Sequence, residues 1–143
     1  MGKRLTVEDH HAIQNLVGEY QWLVDEGRSD EWADLYTEDG FFDGGAAQRF
    51  VGREQLKGVP AWVKSGWNGL MRHHAGSLYI ERGANDDQAV ARYYSLVTTW
   101  TDAEPKLMTF ALCEWHLVRR GESWKIKEHY AKQLLSPKAQ GTT

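Results

Sequence analysis

Residues 73–100 read HHAGSLYIERGANDDQAVARYYSLVTTW, and this stretch decides the fold. His73 to Glu81 is one extended run and Ala89 to Trp100 a second, while Gly83-Ala84-Asn85-Asp86-Asp87 between them has the chemistry of a hairpin turn. The pattern continues toward the C-terminus. After a turn around Asp102 to Pro105, Leu107 to Arg119 forms a third strand, and Gly121-Glu122-Ser123 turns it into a fourth, Trp124 to Tyr130. These are successive antiparallel strands joined by short loops.

Toward the N-terminus the chain is helical. Thr6, with Asp9 three residues on, makes a capping box, and Ile13, Leu16, Val17, Tyr20, Leu23 and Val24 recur at helical spacing before a C-cap at Gly27. Ser29-Asp30 opens a short second helix carrying Trp32, Leu35 and Tyr36, ending near Glu38-Asp39-Gly40. Phe41-Phe42-Asp43 is a short strand and Gly44-Gly45 a turn. Gly52 to Lys57 is a helical turn, Pro60 begins a helix through Trp62 and Val63, and residues 66–69 break the chain before His73. Helices followed by a meander give an α+β fold, with N-terminal helices packed on a strongly curved antiparallel sheet and a pocket inside the cone. A single domain is expected over residues 1–135, with a polar tail, 136–143, expected to be disordered.

Composition narrows the function. The 143 residues carry 17 basic and 20 acidic side chains for a net charge of −3, which provides no basic footprint for nucleic acid. No stretch reaches the roughly 20 apolar residues of a membrane span, and the N-terminus lacks the apolar core of a secretory signal. The single cysteine, Cys113, excludes an internal disulfide and points to a reducing, cytoplasmic setting. Seven Trp, six Tyr and four Phe exceed the needs of a minimal core and suit a lined cavity or a subunit interface.

Candidate chemistry is confined to side chains, because no phosphate loop or dinucleotide fingerprint is present. A carboxylate that orients an imidazole makes a metal-free general base, and a nearby phenol can hold or protonate an oxygen. Asp25, His73 and Tyr20 are the candidates. Asp25 sits on the border of the apolar stripe near the helix C-terminus, where the helix dipole disfavours a carboxylate. His73 and His74 are adjacent on a strand, so only one can face a pocket. His116 and His129 read as core or interface residues. Glu114 and His116 share a face but make a weak chelate, so no metal is expected. Cys113 reads as a small buried hydrophobe rather than a nucleophile.

The chain resembles the SnoaL-like branch of the nuclear-transport-factor-2-like superfamily. The resemblance covers residues 5 to 132 and rests on Tyr20-Gln21-Trp22-Leu23-Val24-Asp25, Glu31-Trp32-Ala33-Asp34-Leu35-Tyr36-Thr37-Glu38-Asp39-Gly40, Phe41-Phe42-Asp43, Arg72-His73-His74 and Gly121-Glu122-Ser123-Trp124-Lys125-Ile126. Within that superfamily the arrangement is similar to scytalone dehydratase, bile-acid dehydratase and hexachlorocyclohexane dehydrochlorinase. The resemblance implies a cofactor-independent lyase in which Asp25 and His73 form the catalytic dyad and Tyr20 binds an oxygen. Trp67, Tyr94 and Leu96 are expected as pocket walls around a small, mostly apolar, cyclic substrate. Homodimers or homotrimers are implied as well. The chain departs from its relatives where Thr109 and Ala111 occupy the region of scytalone dehydratase's second histidine, and where Leu96 stands in place of the bile-acid enzyme's carboxylate. Those departures keep isomerase or cyclase chemistry open, beside a non-catalytic subunit like the small subunits of ring-hydroxylating dioxygenases, or a module that only binds ligand.

Overall fold

The computed structural model describes residues 5–45, 48–100 and 103–134; the tail expected over 136–143 lies outside the described residues, as does Asp102. Helix α1, Val7–Asp25, starts with the capping box read from the sequence. The Asp9 N–H donates to Thr6 Oγ1 and the Thr6 N–H to the Asp9 carboxylate, each at 3.0 Å. The whole predicted stripe is buried, so packing rather than intrinsic propensity holds the helix. Gly27, at φ +72°, ends it, and the Arg28 N–H returns to the Leu23 carbonyl at 3.0 Å.

Helix α2 is only Ser29–Ala33. Leu35 and Tyr36 are not helical, contrary to the sequence expectation; strand β1 already begins at Tyr36 and runs to Asp43. The reason is tertiary. The Ile126 N–H donates to the Leu35 carbonyl at 2.9 Å, and Tyr36 pairs with Ile126, so a remote strand captures residues that local pattern assigned to a helix. A short strand that the sequence reading omitted, β2 (Arg49–Val51), pairs with β1; helices α3 (Gly52–Leu56) and α4 (Gly58–Gly66) follow.

Strands β3 (Met71–Arg82), β4 (Gln88–Thr99), β5 (Lys106–Arg120) and β6 (Ser123–Gln133) form the expected antiparallel meander. The full sheet has the order β2-β1-β6-β5-β4-β3, and β1 runs parallel to β6, so the sheet is mixed rather than wholly antiparallel, and open at β2 and β3. Register shifts interrupt β3 between Gly76 and Tyr79, the β4–β5 pair near Val97, and the β5–β6 pair between His116 and Leu117. Bulges of this kind bend a sheet, here around the helices. At the β1–β6 junction the backbones approach so closely that a Cβ on Gly40 would lie 2.8 Å from the Ile126 carbonyl oxygen.

The core fills the concave side. Ile13, Trp32, Leu56, Tyr93, Trp115, Leu117 and Ile126 are fully buried there. None of the described helices is long and apolar enough to cross a membrane.

Candidate active site

Strand pleat decides which side chains reach the interior. Along β4, Ala89, Ala91, Tyr93, Ser95 and Val97 are buried, and the residues between them face the other side of the sheet. Along β5, Ala111, Cys113, Trp115 and Leu117 take the same inner face. Strand β6 changes phase: Leu117 pairs with Ile126 but His116 pairs with Glu128, leaving Lys127 as an extra residue. Trp124 and Ile126 point inward before that bulge, and His129 after it.

Beyond the core, the concave face leaves a cavity of about 590 Å³, an ordinary size for a small-molecule site. Helices supply Tyr20, Gln21, Val24, Trp32, Val59, Trp62 and Val63 to its wall. The strands add Phe42, Met71, His73, Tyr93, Ser95, Val97, Thr109, Ala111, Cys113 and His129. The wall is therefore mostly apolar, with a few polar groups.

His73 and Asp25 meet at this cavity. Asp25, the last residue of α1, is 8% exposed in its side chain, and His73 is 19% exposed near the start of β3. His73 Nδ1 lies 2.6 Å from Asp25 Oδ1, while the backbone N–H of His73 donates to Asp25 Oδ2 at 3.0 Å. The carboxylate thus grips the histidine by ring and backbone together. With Nδ1–H donating to Asp25, the second ring nitrogen, Nε2, carries the free lone pair. His74 faces the other way, as the pleat requires, within 3.1 Å of Thr98 Oγ1.

Tyr20 is buried on the cavity wall, but its hydroxyl is not free as expected. It lies 3.1 Å from the Tyr36 hydroxyl and 3.0 Å from His129 Nδ1, so the phenol is held inside the wall by a cluster the sequence did not announce. Burial, then the neighbouring phenol of Tyr36, raises the Tyr20 hydroxyl well above its ordinary range; burial does the same to Tyr36 and Tyr93. All three are neutral phenols. Burial, reinforced by the charge His73 carries when protonated, pushes the His129 imidazole down to about 3, so it too is neutral. Burial pushes the Cys113 thiol up to about 12, which leaves it unreactive, as the sequence reading had it.

The expected pocket walls need correction. Tyr94 and Leu96 do not line the cavity. They are 43% and 40% exposed on the outer sheet face, because Tyr93, Ser95 and Val97 occupy the inward phase of β4. Trp67 also stands outside the lining; it packs edge-on against Trp62, ring centroids 4.7 Å apart, and Trp62 is the tryptophan at the wall. Glu114 and His116 share the outer face and bond each other at 2.9 Å, with Arg92 reaching Glu114 at 2.8 Å, away from the cavity.

Sequence reasoning missed His129, Tyr36, Tyr93, Ser95 and Gln21. The alternation of small residues Ala89, Ala91 and Ser95, in phase with Tyr93, was the available signal for β4, since all four take the buried face of the strand. Gln21 carried none; its Nε2 donates to the Val17 carbonyl at 3.1 Å and the Tyr93 hydroxyl at 3.3 Å.

A family model described as a SnoaL-like domain matches residues 5–130. The chain belongs to the SnoaL-like domain family. Solved structures give the same cystatin-like, nuclear-transport-factor-2-like fold to this SnoaL-like chain. A nuclear-transport-factor-2-like protein from Novosphingobium aromaticivorans is 21% identical, with a TM-score of 0.79 over 95% of this chain and 89% of that one. A scytalone dehydratase candidate from the same organism is 18% identical, TM-score 0.77, over 89% and 85% of the two chains. ActVI-ORFA from Streptomyces coelicolor is 18% identical, TM-score 0.77, over 87% and 97%. At such identities the likeness establishes the SnoaL-like fold alone. Comparison with curated proteins finds no sequence match.

Proposed function

We propose that this SnoaL-like domain is a cofactor-independent enzyme that removes a proton from carbon in a small, mostly apolar, cyclic substrate, with a dehydratase-type lyase as the leading reading. The single observation that supports it most is the 2.6 Å contact between Asp25 and His73 at the edge of an aromatic-walled cavity. His73 Nε2 takes the proton; the C–H pair becomes a C=C bond, and the leaving group departs with its own electron pair. Asp25 fixes the tautomer and stabilises the imidazolium formed in that step. The likeness to a scytalone dehydratase candidate and to ActVI-ORFA is consistent with small-molecule chemistry on this fold.

One observation favours isomerisation or cyclisation as the second reading. No carboxylate is among the described residues lining the cavity, so a departing hydroxide has no acid beyond the protonated His73. An isomerase or cyclase returns that proton to the substrate and needs no second acid.

The test avoids guessing the natural substrate. In heavy water, the protein should catalyse deuterium uptake at the acidic carbon of cyclic ketones such as α-tetralone, followed by mass spectrometry. His73→Ala should lower that rate by roughly 10²–10⁴, the contribution of one positioned base. Asp25→Asn should lose nearly as much while retaining the fold. Equal exchange in wild type and His73→Ala would refute the assignment and leave a binding or scaffolding module.

A further inference from the structure

His129 is 1% exposed, and its two ring nitrogens differ in their surroundings. Nδ1 lies 3.0 Å from the Tyr20 hydroxyl and 3.3 Å from the Tyr36 hydroxyl, and those hydroxyls lie 3.1 Å from each other. Nε2 is buried with no hydrogen-bond partner among the described residues, although its ring lines the cavity. A buried nitrogen without a partner costs free energy unless something supplies one.

Counting protons in the cluster fixes what Nε2 carries. Both phenols are neutral, so each brings one proton, and neither hydroxyl has a further partner among the described residues. If Nδ1 accepts, the Tyr36 hydroxyl donates to Tyr20, the Tyr20 hydroxyl donates to Nδ1, both phenol protons are placed, and Nε2–H alone is left without a partner. If Nδ1 carries a proton instead, three protons share three mutually facing atoms and one phenol proton is stranded in the core. The first arrangement leaves one group unpaired where the second leaves two, a phenol proton and the Nε2 lone pair, and it puts the imidazole proton on Nε2.

We infer that His129 Nε2–H is a fixed, neutral hydrogen-bond donor in the cavity, and that the ligand presents an acceptor oxygen to it, a carbonyl above all. Tyr20 and Tyr36 are then positioning residues that hold the tautomer. The inference deepens, and rests on, the reading of the cavity as a small-molecule site. It also supplies what that reading lacks. When His73 takes a proton from the carbon beside a carbonyl, the C–H pair forms a C=C bond and the carbonyl π pair moves onto oxygen. A neutral donor at that oxygen gains strength as the charge develops, without repelling the imidazolium of His73.

Two other buried nitrogens also lack partners, Nε1 of Trp32 and of Trp115. Trp115 is not on the cavity wall; Trp32 is, packed on Tyr20 and Tyr36 with ring centroids 5.1 and 5.2 Å away. The Phe42 ring, edge-on to His129 at 4.6 Å between centroids, is the competing neighbour within the fold.

The experiment compares α-tetralone with tetralin, its counterpart without the oxygen, by tryptophan fluorescence titration of the full chain. To separate this inference from the catalytic one, both titrations use His73→Ala protein, which holds ligand without turning it over. Tetralone should bind about tenfold tighter than tetralin, the size of one hydrogen bond to an otherwise unpaired donor. His129→Phe, which keeps a ring and removes the N–H, should erase the difference. Imidazole ¹⁵N spectra of the unmodified chain should report the Nε2–H tautomer of His129, unchanged between pH 5 and pH 8, with the Nε2–H proton shifting when tetralone is added. An Nδ1–H tautomer, no ketone preference, or a preference that survives His129→Phe would each overturn the inference. Loss of exchange chemistry with the ketone preference intact would instead end only the catalytic reading.

Discussion

Asp25 shows how a residue at the edge of a pattern can carry its meaning. On the helical wheel it borders the apolar stripe, and it ends α1 where the helix dipole disfavours it; in the fold it accepts two bonds from His73. Tyr20 shows the limit of the same reasoning: its burial followed from the stripe, while the partners of its hydroxyl, Tyr36 and His129, come from strands β1 and β6, the second of them 109 residues away. His129 has a consequence for stability. Its folded-state value of about 3 lies below the ordinary 6.5, so between those limits the unfolded chain takes up a proton that the folded chain refuses. The stabilising contribution is complete above about pH 6.5 and is lost as pH falls toward 3. Urea midpoints should therefore drop between pH 7 and pH 5, and His129→Phe should remove up to about one proton per molecule from that slope. A parallel slope in wild type and variant would show that His129 protonates freely in the native state.

At the scale of elements, the four-strand meander and the first helix were legible because each carries its own local periodicity and turn chemistry. Of strand β1 only Phe41 to Asp43 was; its beginning at Tyr36 was not, since that assignment depends on β6, some ninety residues away. The parallel β1–β6 junction is also tightly packed. Gly40→Ala should destabilise the fold by roughly 1–3 kcal/mol, because its Cβ would be forced against the Ile126 carbonyl oxygen. Denaturant titration checks this, and an unchanged midpoint would mean that the junction relaxes freely. The phase of β4 and the bulge at Lys127 in β6 belong to this scale as well. A one-residue change of phase moves every side chain to the opposite face, which is why Tyr94 and Leu96 were expected inside and lie outside.

The whole molecule leaves its outer sheet face partly apolar: Tyr79, Tyr94, Leu96, Trp100 and Leu107 are all exposed large hydrophobics. We propose that a second copy of the chain covers this face. Sedimentation at micromolar concentration should give a dimer or trimer, and Leu96→Lys should shift it toward monomer; a wild-type monomer at that concentration would contradict the proposal. The sequence by itself determined the α+β class, the meander and the capped first helix, because periodicity, caps and turns are written in neighbouring residues; that Asp25 and His73 lie in contact was an expectation of the family resemblance. Only the tertiary structure decided which face of β4 lines the cavity, that β1 joins β6 in parallel, and that His129 turns inward behind two phenols. Periodicity defines spacing without phase; the phase is set by bulges and by partner strands brought together from distant parts of the chain.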